Sequence, residues 1–141
     1  MKRTALNLLL VDDDALFVTT LARSLQKRGL SVHCANNSST TLAALQDHTF
    51  DLILLDLNLD GESGLKLLQA ILQQQPDARV VMLTAYASVA TAVDAIKRGA
   101  ENYLCKPIIA SDIAALLDEK DDTDETERSE EHTSELQSLT N

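Results

Sequence analysis

Aromatic residues are scarce in this chain of 141 residues, at 3% of the sequence, although hydrophobic residues make up 45%. We therefore expect one domain with a core built from leucine, valine, isoleucine and alanine. Cysteine is also scarce, because Cys34 and Cys105 are too few for a disulfide framework. No apolar stretch approaches the roughly 20 residues of a membrane span, and the first residues do not form a secretory h-region with a cleavage site. These absences predict a cytoplasmic protein that does not bind a membrane.

Negative charge is concentrated towards the end of the chain. The net charge is −10, and residues 118–135 contain ten acidic residues against Lys120 and Arg128. Residues 1–117 therefore carry only about −2, so their charge gives no indication of nucleic-acid binding. We interpret residues 118–141 as an acidic disordered tail. Residues 128–138 resemble the in-frame translation of a sequencing-library adapter, and we assign no function to the tail.

Five short apolar segments alternate with five segments of helical periodicity. This alternation predicts a parallel sheet with helices on both faces, formed by residues 1–117. Right-handed crossovers favour an α/β, flavodoxin-like, doubly wound five-stranded sheet with strand order 2-1-3-4-5. The predicted strands are Leu6–Val11, Ser31–Ala35, Leu52–Leu55, Arg79–Thr84 and Asn102–Cys105, and the predicted helices are Ala15–Arg28, Ser38–Asp47, Gly64–Gln74, Val89–Arg98 and Ser111–Leu117.

Apolar residues at helical spacing indicate which side of each helix is buried. For the first predicted helix, we expect an inner face of Leu16, Thr20, Leu21 and Leu25. For the fourth, we expect Val89, Val93 and Ile96 to face the sheet.

Polar side chains stand at the ends of four predicted strands. Asp12 and Asp13 follow the first strand, and Asp56 follows the apolar run of the third. Thr84 ends the fourth strand and Lys106 follows the fifth. The predicted strand order brings these residues together at the carboxyl edge, where open α/β sheets bind ligands. Three close carboxylates repel one another unless a cation lies between them, and oxygen ligands favour Mg²⁺. With an ammonium and a hydroxyl nearby, such a site suits a phosphoryl group, and an aspartate there can itself be the nucleophile.

The motifs around these residues resemble a response-regulator receiver domain of two-component signalling, which has a CheY-like fold. The resemblance covers residues 6 to about 117. It implies that Asp56 is the phosphoacceptor for a sensor histidine kinase, in a module that is not a turnover enzyme. The matching motifs are Leu-Leu-Val-Asp12-Asp13-Asp14, Leu-Leu-Asp56-Leu-Asn58, Leu-Thr84-Ala85 and Tyr103-Leu-Cys-Lys106-Pro107.

The resemblance also implies roles for the other site residues. Asp13, Asp56 and the carbonyl of Asn58 would bind Mg²⁺ directly, with Asp12 acting through water. Lys106 would contact the phosphoryl group, and the Lys106–Pro107 peptide bond would be cis. Thr84 would move to bond the phosphoryl group, and Tyr103 would turn inward behind it.

This movement would change a signalling face formed by the helix Val89–Arg98, the strand Asn102–Cys105 and the helix from Ser111. The resemblance suggests that this face then binds a second copy of the chain. The homodimer would use the charged residues Asp94, Lys97, Arg98 and Glu101.

The loop after Asp56 departs from the common family pattern, because it reads Leu59-Asp60 where Met-Pro is usual. This loop, together with Thr84-Ala-Tyr86 and residues 89–100, is similar to the redox-responsive global regulators. Those proteins carry a helix-turn-helix domain behind the receiver. We therefore expect this chain to be the truncated receiver of a transcriptional regulator, whose full-length form binds DNA while this fragment does not.

Three alternatives differ from this interpretation. The first is a stand-alone receiver in a phosphorelay. The second is a haloacid-dehalogenase-type phosphohydrolase, which also uses an aspartate nucleophile and Mg²⁺ but needs a second aspartate where this chain has Asn58. The third is a flavodoxin-like cofactor binder, in which three aspartates after the first strand would repel a phosphate.

Overall fold

The computed structural model describes residues 6–85 and 88–121, with side chains up to residue 118. Of the predicted acidic tail, residues 118–141, the part from residue 122 onward, including residues 128–138, lies outside this range. The strands are β1 (Asn7–Val11), β2 (Ser31–Ala35), β3 (Leu52–Asp56), β4 (Asn58–Leu59), β5 (Glu62–Ser63), β6 (Arg79–Thr84) and β7 (Asn102–Cys105). The helices are α1 (Ala15–Lys27), α2 (Ser38–Asp47), α3 (Gly64–Gln74), α4 (Val89–Lys97) and α5 (Ala110–Asp121).

Five parallel strands form the sheet in the order β2-β1-β3-β6-β7. This confirms the predicted order 2-1-3-4-5, because β4 and β5 form a separate antiparallel hairpin. Val11 in β1 lies opposite Ala35 in β2 and Leu55 in β3. The residues that follow β1 therefore lie beside Asp56 at the carboxyl edge.

Alternate residues of the central strands face opposite helical layers, as the period of two in a strand requires. On one face, Leu9 and Ile53 join a continuous buried cluster with Leu68 and Ile71 of α3. The neighbouring residues of the same strands point to the other face, where α1 contacts β1 and β2. Leucines fill most of these positions, which confirms the aliphatic core. The largest fully buried side chains of the five-stranded sheet are Leu8, Leu9, Leu10, Leu52, Ile53, Leu54, Leu55 and Met82.

The predicted inner face of α1 is partly wrong. Leu21 and Leu25 are buried as expected, whereas Leu16 is 78% exposed and Thr20 is exposed. Leu16 and Leu25 are nine residues apart, which is two and a half helical turns, so they point in opposite directions.

The prediction for α4 is also wrong. Ala95 is completely buried, while Val89, Val93 and Ile96 are all exposed. The helix packs on β7 through a face of small residues, and its apolar stripe faces outward. We call Val89, Val93 and Ile96 the α4 stripe.

Side-chain caps fix the starts of three helices near the carboxyl edge. Asp14 accepts a hydrogen bond from the N–H of Phe17 at the start of α1. Ser63 and Ser88 cap α3 and α4 in the same way. Such caps satisfy N–H groups that have no partner within the helix, so the chain direction is fixed where each helix leaves the sheet.

The last helix, α5, begins one residue before the predicted Ser111 and ends at Asp121, four residues beyond the predicted Leu117. Residues 118–121, predicted to begin the disordered tail, are therefore helical. The carboxylate of Asp112 accepts a hydrogen bond from the N–H of Ile109 at 3.0 Å and so closes the turn that starts the helix. Over the part of the chain described, no helix is long and apolar enough to cross a membrane.

Candidate functional site

Three carboxylates meet at the carboxyl edge of the sheet. Asp12 and Asp13 follow β1, and Asp56 is the last residue of β3. One carboxylate oxygen from each lies within 4.8 Å of the others. Asp12 and Asp56 are 2% and 7% exposed, whereas Asp13 is exposed to solvent. This arrangement is the one that the strand ends predicted.

Both carboxylate oxygens of Asp12 are engaged by groups of the chain. Oδ1 accepts a hydrogen bond from the N–H of Asp14 at 2.9 Å. Oδ2 forms an ion pair with Nζ of Lys106 at 2.6 Å. Asp12 is therefore less available to bind a cation directly than the solvent-facing Asp13.

Asp56 lies in an environment that resists ionisation. The pKa of Asp56 is raised from 3.8 to about 6, mainly by burial and in addition by the negative charge of Asp12. Lys106 and the N–H of Asn58, which donates to the Asp56 carboxylate, act in the opposite direction. A cation beside Asp56 would favour the ionised carboxylate, because a nearby positive charge lowers the pKa of a carboxyl group.

The donor set fits a hard divalent cation. Carboxylate oxygens are the ligands that Mg²⁺ and Ca²⁺ prefer, and close carboxylates are expensive to ionise together without a cation. Asn58 begins the hairpin immediately after β3, which places its backbone beside Asp56. A cleft of about 410 Å³, lined in part by Asp13 and Leu59, opens next to these groups.

Thr84 and Lys106 complete the edge on the other side of β3. Thr84 is the buried last residue of β6, and its carbonyl accepts a hydrogen bond from the N–H of Lys106 at 2.7 Å. The two side chains therefore start from adjacent points of one edge. The Lys106–Pro107 peptide bond is cis, as the resemblance implied.

Tyr103 lies below this edge, where it pairs with Met82 in the sheet. Its half-buried ring packs against the buried cluster. The hydroxyl is buried and has no hydrogen-bond partner among residues 6–85 and 88–121. The structure thus brings together six of the seven predicted site residues and places Tyr103 behind them.

The hairpin after Asp56 was not predicted, although a signal for it exists. Asp60 and Gly61 form its turn with φ angles of +48° and +92°, and Asp-Gly is a common pair in turns of this kind. Glu62 attaches the hairpin to the start of α2, because its carboxylate accepts hydrogen bonds from the N–H and hydroxyl of Ser38 at 3.0 and 3.1 Å. No pattern in the sequence indicated this second contact.

The contact between Phe17 and Lys106 was also not predicted. Nζ of Lys106 lies 4.4 Å from the centroid of the Phe17 ring, which is within the range of a cation–π interaction. Only the fold brings the first turn of α1 against the end of β7, so spacing along the chain could not reveal this contact.

Comparison with known proteins places these observations in a family. Residues 8–118 match the response regulator receiver domain. The photosynthetic apparatus regulatory protein RegA of Rhodobacter capsulatus is 43% identical over 111 residues, which cover 79% of this chain and 60% of RegA. The acid tolerance regulatory protein ActR of Rhizobium meliloti is 40% identical over 111 residues, or 79% of this chain and 57% of ActR. The chain therefore spans less than two thirds of these relatives.

A solved structure is similar over most of the chain. It is a response regulator protein from Burkholderia pseudomallei, crystallised with a phosphorylated aspartic acid, a calcium ion and citrate. Its sequence is 43% identical, the TM-score is 0.78, and the match covers 92% of this chain and 74% of that one.

Proposed function

This chain belongs to the response regulator receiver domain family, and on that basis we propose that Asp56 accepts a phosphoryl group from a sensor histidine kinase, with Mg²⁺ as cofactor. One observation carries the proposal. Asp56 is a buried carboxylate that ends a central strand, with two further carboxylates within 4.8 Å and the Lys106 ammonium on Asp12. The related structure from Burkholderia pseudomallei contains a phosphorylated aspartic acid and a divalent cation.

In the proposed reaction, a carboxylate oxygen of Asp56 attacks the phosphorus of a phosphohistidine. The new O–P bond forms as the N–P bond breaks, and the imidazole leaves with the electron pair. Asp13, Asp56 and the backbone carbonyl of Asn58 would hold the cation, and Asp12 would act through water. When bound, Mg²⁺ supplies the positive charge that offsets the carboxylates and the phosphoryl oxygens.

Lys106, Thr84 and Tyr103 would convert phosphorylation into a change of shape. Lys106 would move from Asp12 to the phosphoryl group, because the phosphoryl group carries more negative charge than the Asp12 carboxylate. Thr84 would donate its hydroxyl to a phosphoryl oxygen, and Tyr103 would shift behind it. These contacts exist only in the phosphorylated form, so they can shift the population between two states.

We further propose that the switch enables homodimerisation through a contact on α4. Three of the four charged residues expected to form it are paired within the chain: Asp94 pairs with Arg98 at 2.9 Å, and Glu101 pairs with Arg79. The α4 stripe is exposed instead. Apolar side chains at the centre of an interface contribute more than rim charges, so the stripe is the better contact.

For the full-length protein we propose transcriptional regulation in the cytoplasm. The relatives RegA and ActR are named as regulatory proteins, and this chain matches only 60% and 57% of their lengths. DNA binding would belong to a segment outside this sequence.

The proposal is tested by incubating the protein with acetyl phosphate and Mg²⁺ and measuring the intact mass. We expect one added phosphoryl group in the wild type, none in Asp56→Asn, and none when EDTA is present. Asp77→Asn is the matched control, because Asp77 is an exposed residue in the loop after α3. Full labelling of Asp56→Asn, or labelling that is insensitive to EDTA, would refute the assignment.

A further inference from the structure

Among the described residues, two side chains contact the Lys106 ammonium directly, and its charge also acts on Asp56. Asp12 Oδ2 lies 2.6 Å from Nζ, and the centroid of the Phe17 ring lies 4.4 Å from the same atom. The Lys106 side chain is only 18% exposed, so water screens these two contacts weakly. The charge is therefore held between a carboxylate and an aromatic ring.

Phe17 contributes little to the sheet core. It lies in the first turn of α1, where its N–H donates to the cap Asp14 at 3.2 Å. It is half-buried, whereas the buried residues of α1 are Leu21, Ala22 and Leu25. The chain has only two phenylalanines, and this one lies against the single lysine of the site.

The two neighbours of Lys106 differ in how they respond to a phosphoryl group. In the proposed exchange, the ammonium leaves its ion pair with Asp12 as it moves to the anion at Asp56. A cation–π contact is retained wherever the ammonium lies over the ring face within about 6 Å of its centroid, so it can persist during a short movement of the ammonium. A phosphoryl anion does not compete for the ring.

We propose that Phe17 is a positioning residue that keeps Lys106 at the site while the ammonium exchanges Asp12 for the phosphoryl group. This inference rests on the proposed function of Asp56. The ring binds no reacting atom and acts only through Lys106. Removing its π face should therefore slow phosphorylation and leave the fold intact.

The rate of acetyl-phosphate labelling of Asp56 at saturating Mg²⁺ tests this inference. Phe17→Leu keeps an apolar side chain but has no ring, and we expect it to lower the rate about three- to tenfold, the range of one partly screened cation–π contact. Phe17→Tyr keeps the ring and should stay within about twofold of the wild type. Leu16→Ala is the matched control, because Leu16 is the exposed neighbour of Phe17. Phe17→Met, with its adaptable side chain, replaces Phe17→Leu if the leucine variant melts early.

A second set of variants, made in Lys106→Met, distinguishes a role of Phe17 in positioning Lys106 from a role in packing. In Lys106→Met the charge is absent, so adding Phe17→Leu should cause no further loss of rate. An equal loss in both backgrounds would show that Phe17 acts by packing, and an unchanged rate in Phe17→Leu would show that it does not act at all. Either result overturns the inference. Asp56→Asn is measured in parallel, since labelling of that variant would refute the proposed function itself, whatever Phe17 does.

Discussion

Gly64 lies directly against the backbone that follows Asp56. A Cβ at Gly64 would be 2.8 Å from the carbonyl oxygen of Leu57 and closer still to that of Asp56. The N–H of Gly64 donates to the Leu57 carbonyl at 2.7 Å. The start of α3 and the end of β3 therefore approach more closely than any side chain allows.

Gly64→Ala should destabilise the protein by about 2 kcal/mol or more, because the clash is with backbone that cannot rotate away. Urea denaturation measures the change in the free energy of unfolding. Gly61→Asn is the control for losing a glycine without a clash, since nothing lies within 4 Å of Gly61; we expect it to cost less than Gly64→Ala, because asparagine adopts a positive φ more readily than most residues. If Gly64→Ala had the same urea midpoint as the wild type, this would contradict the close approach of Gly64 to the backbone of Asp56 and Leu57.

Asp56→Asn should stabilise the metal-free protein at pH 7.5 by about 1–2 kcal/mol. The pKa of Asp56 in the folded protein is about 6, above the ordinary 3.8. As the pH rises from 4 to 6, the unfolded chain loses this proton first, so the free energy of unfolding of the wild type falls. It stays lower above pH 6, whereas Asp56→Asn lacks this effect.

The measurement is urea denaturation of both proteins in EDTA between pH 4 and pH 7.5. The gain in the free energy of unfolding of Asp56→Asn over the wild type should decrease towards pH 4. It should also decrease at pH 7.5 when Mg²⁺ replaces EDTA, because Mg²⁺ stabilises the wild type by binding its folded form. Asp77→Asn provides the baseline for an exposed carboxylate. A variant less stable than the wild type at pH 7.5 would mean that Asp56 is held by favourable partners.

Glu62→Gln should weaken Mg²⁺ binding about threefold to tenfold. Asn58 belongs to the hairpin after Asp56, and Glu62 fastens this hairpin to α2 by its hydrogen bonds with Ser38. Isothermal titration measures the affinity. Ser38→Ala should cause a smaller loss, since the N–H of residue 38 still donates. Ser39→Ala is the control, because Ser39 is the exposed neighbour of Ser38. Equal affinities in all four proteins would show that the anchor is irrelevant to the site.

Val93→Ser should change the free energy of unfolding by less than about 1 kcal/mol, because the side chain is exposed. We expect the same substitution to abolish dimerisation induced by beryllofluoride, as judged by sedimentation. Ala90→Ser on the same helix is the control, since Ala90 is exposed but lies outside the α4 stripe. Dimers that persist in Val93→Ser would place the contact elsewhere.

The sheet and the site edge could be predicted because both depend on short-range patterns. Unbroken apolar runs such as Leu52–Leu55 identify buried strands, and the polar residue that follows each run marks the edge of the sheet. Once the order of the strands was inferred, Asp12 and Asp56 had to be neighbours. The placement of Thr84 and Lys106 followed for the same reason.

The helix faces and the supporting contacts could not be predicted in this way. Periodicity shows that α4 has an apolar stripe, but not whether the stripe faces the sheet, and the buried position belongs to Ala95. The contacts of Glu62 with Ser38 and of Phe17 with Lys106 join residues 24 and 89 positions apart. Such pairs are set by packing in three dimensions, which no local pattern encodes.

The buried hydroxyl of Tyr103, which has no hydrogen-bond partner within the described part of the chain, affects how much free energy a switch would need. A buried hydroxyl without a partner costs about 1–3 kcal/mol, and this cost is present in the conformation described here. A ring position that exposes the hydroxyl to water avoids this cost. The difference in free energy between the buried and the exposed ring positions is therefore smaller than packing alone would make it. A small gap leaves the minor conformation populated before any signal arrives, and a trigger of a few kcal/mol is then enough to invert the ratio.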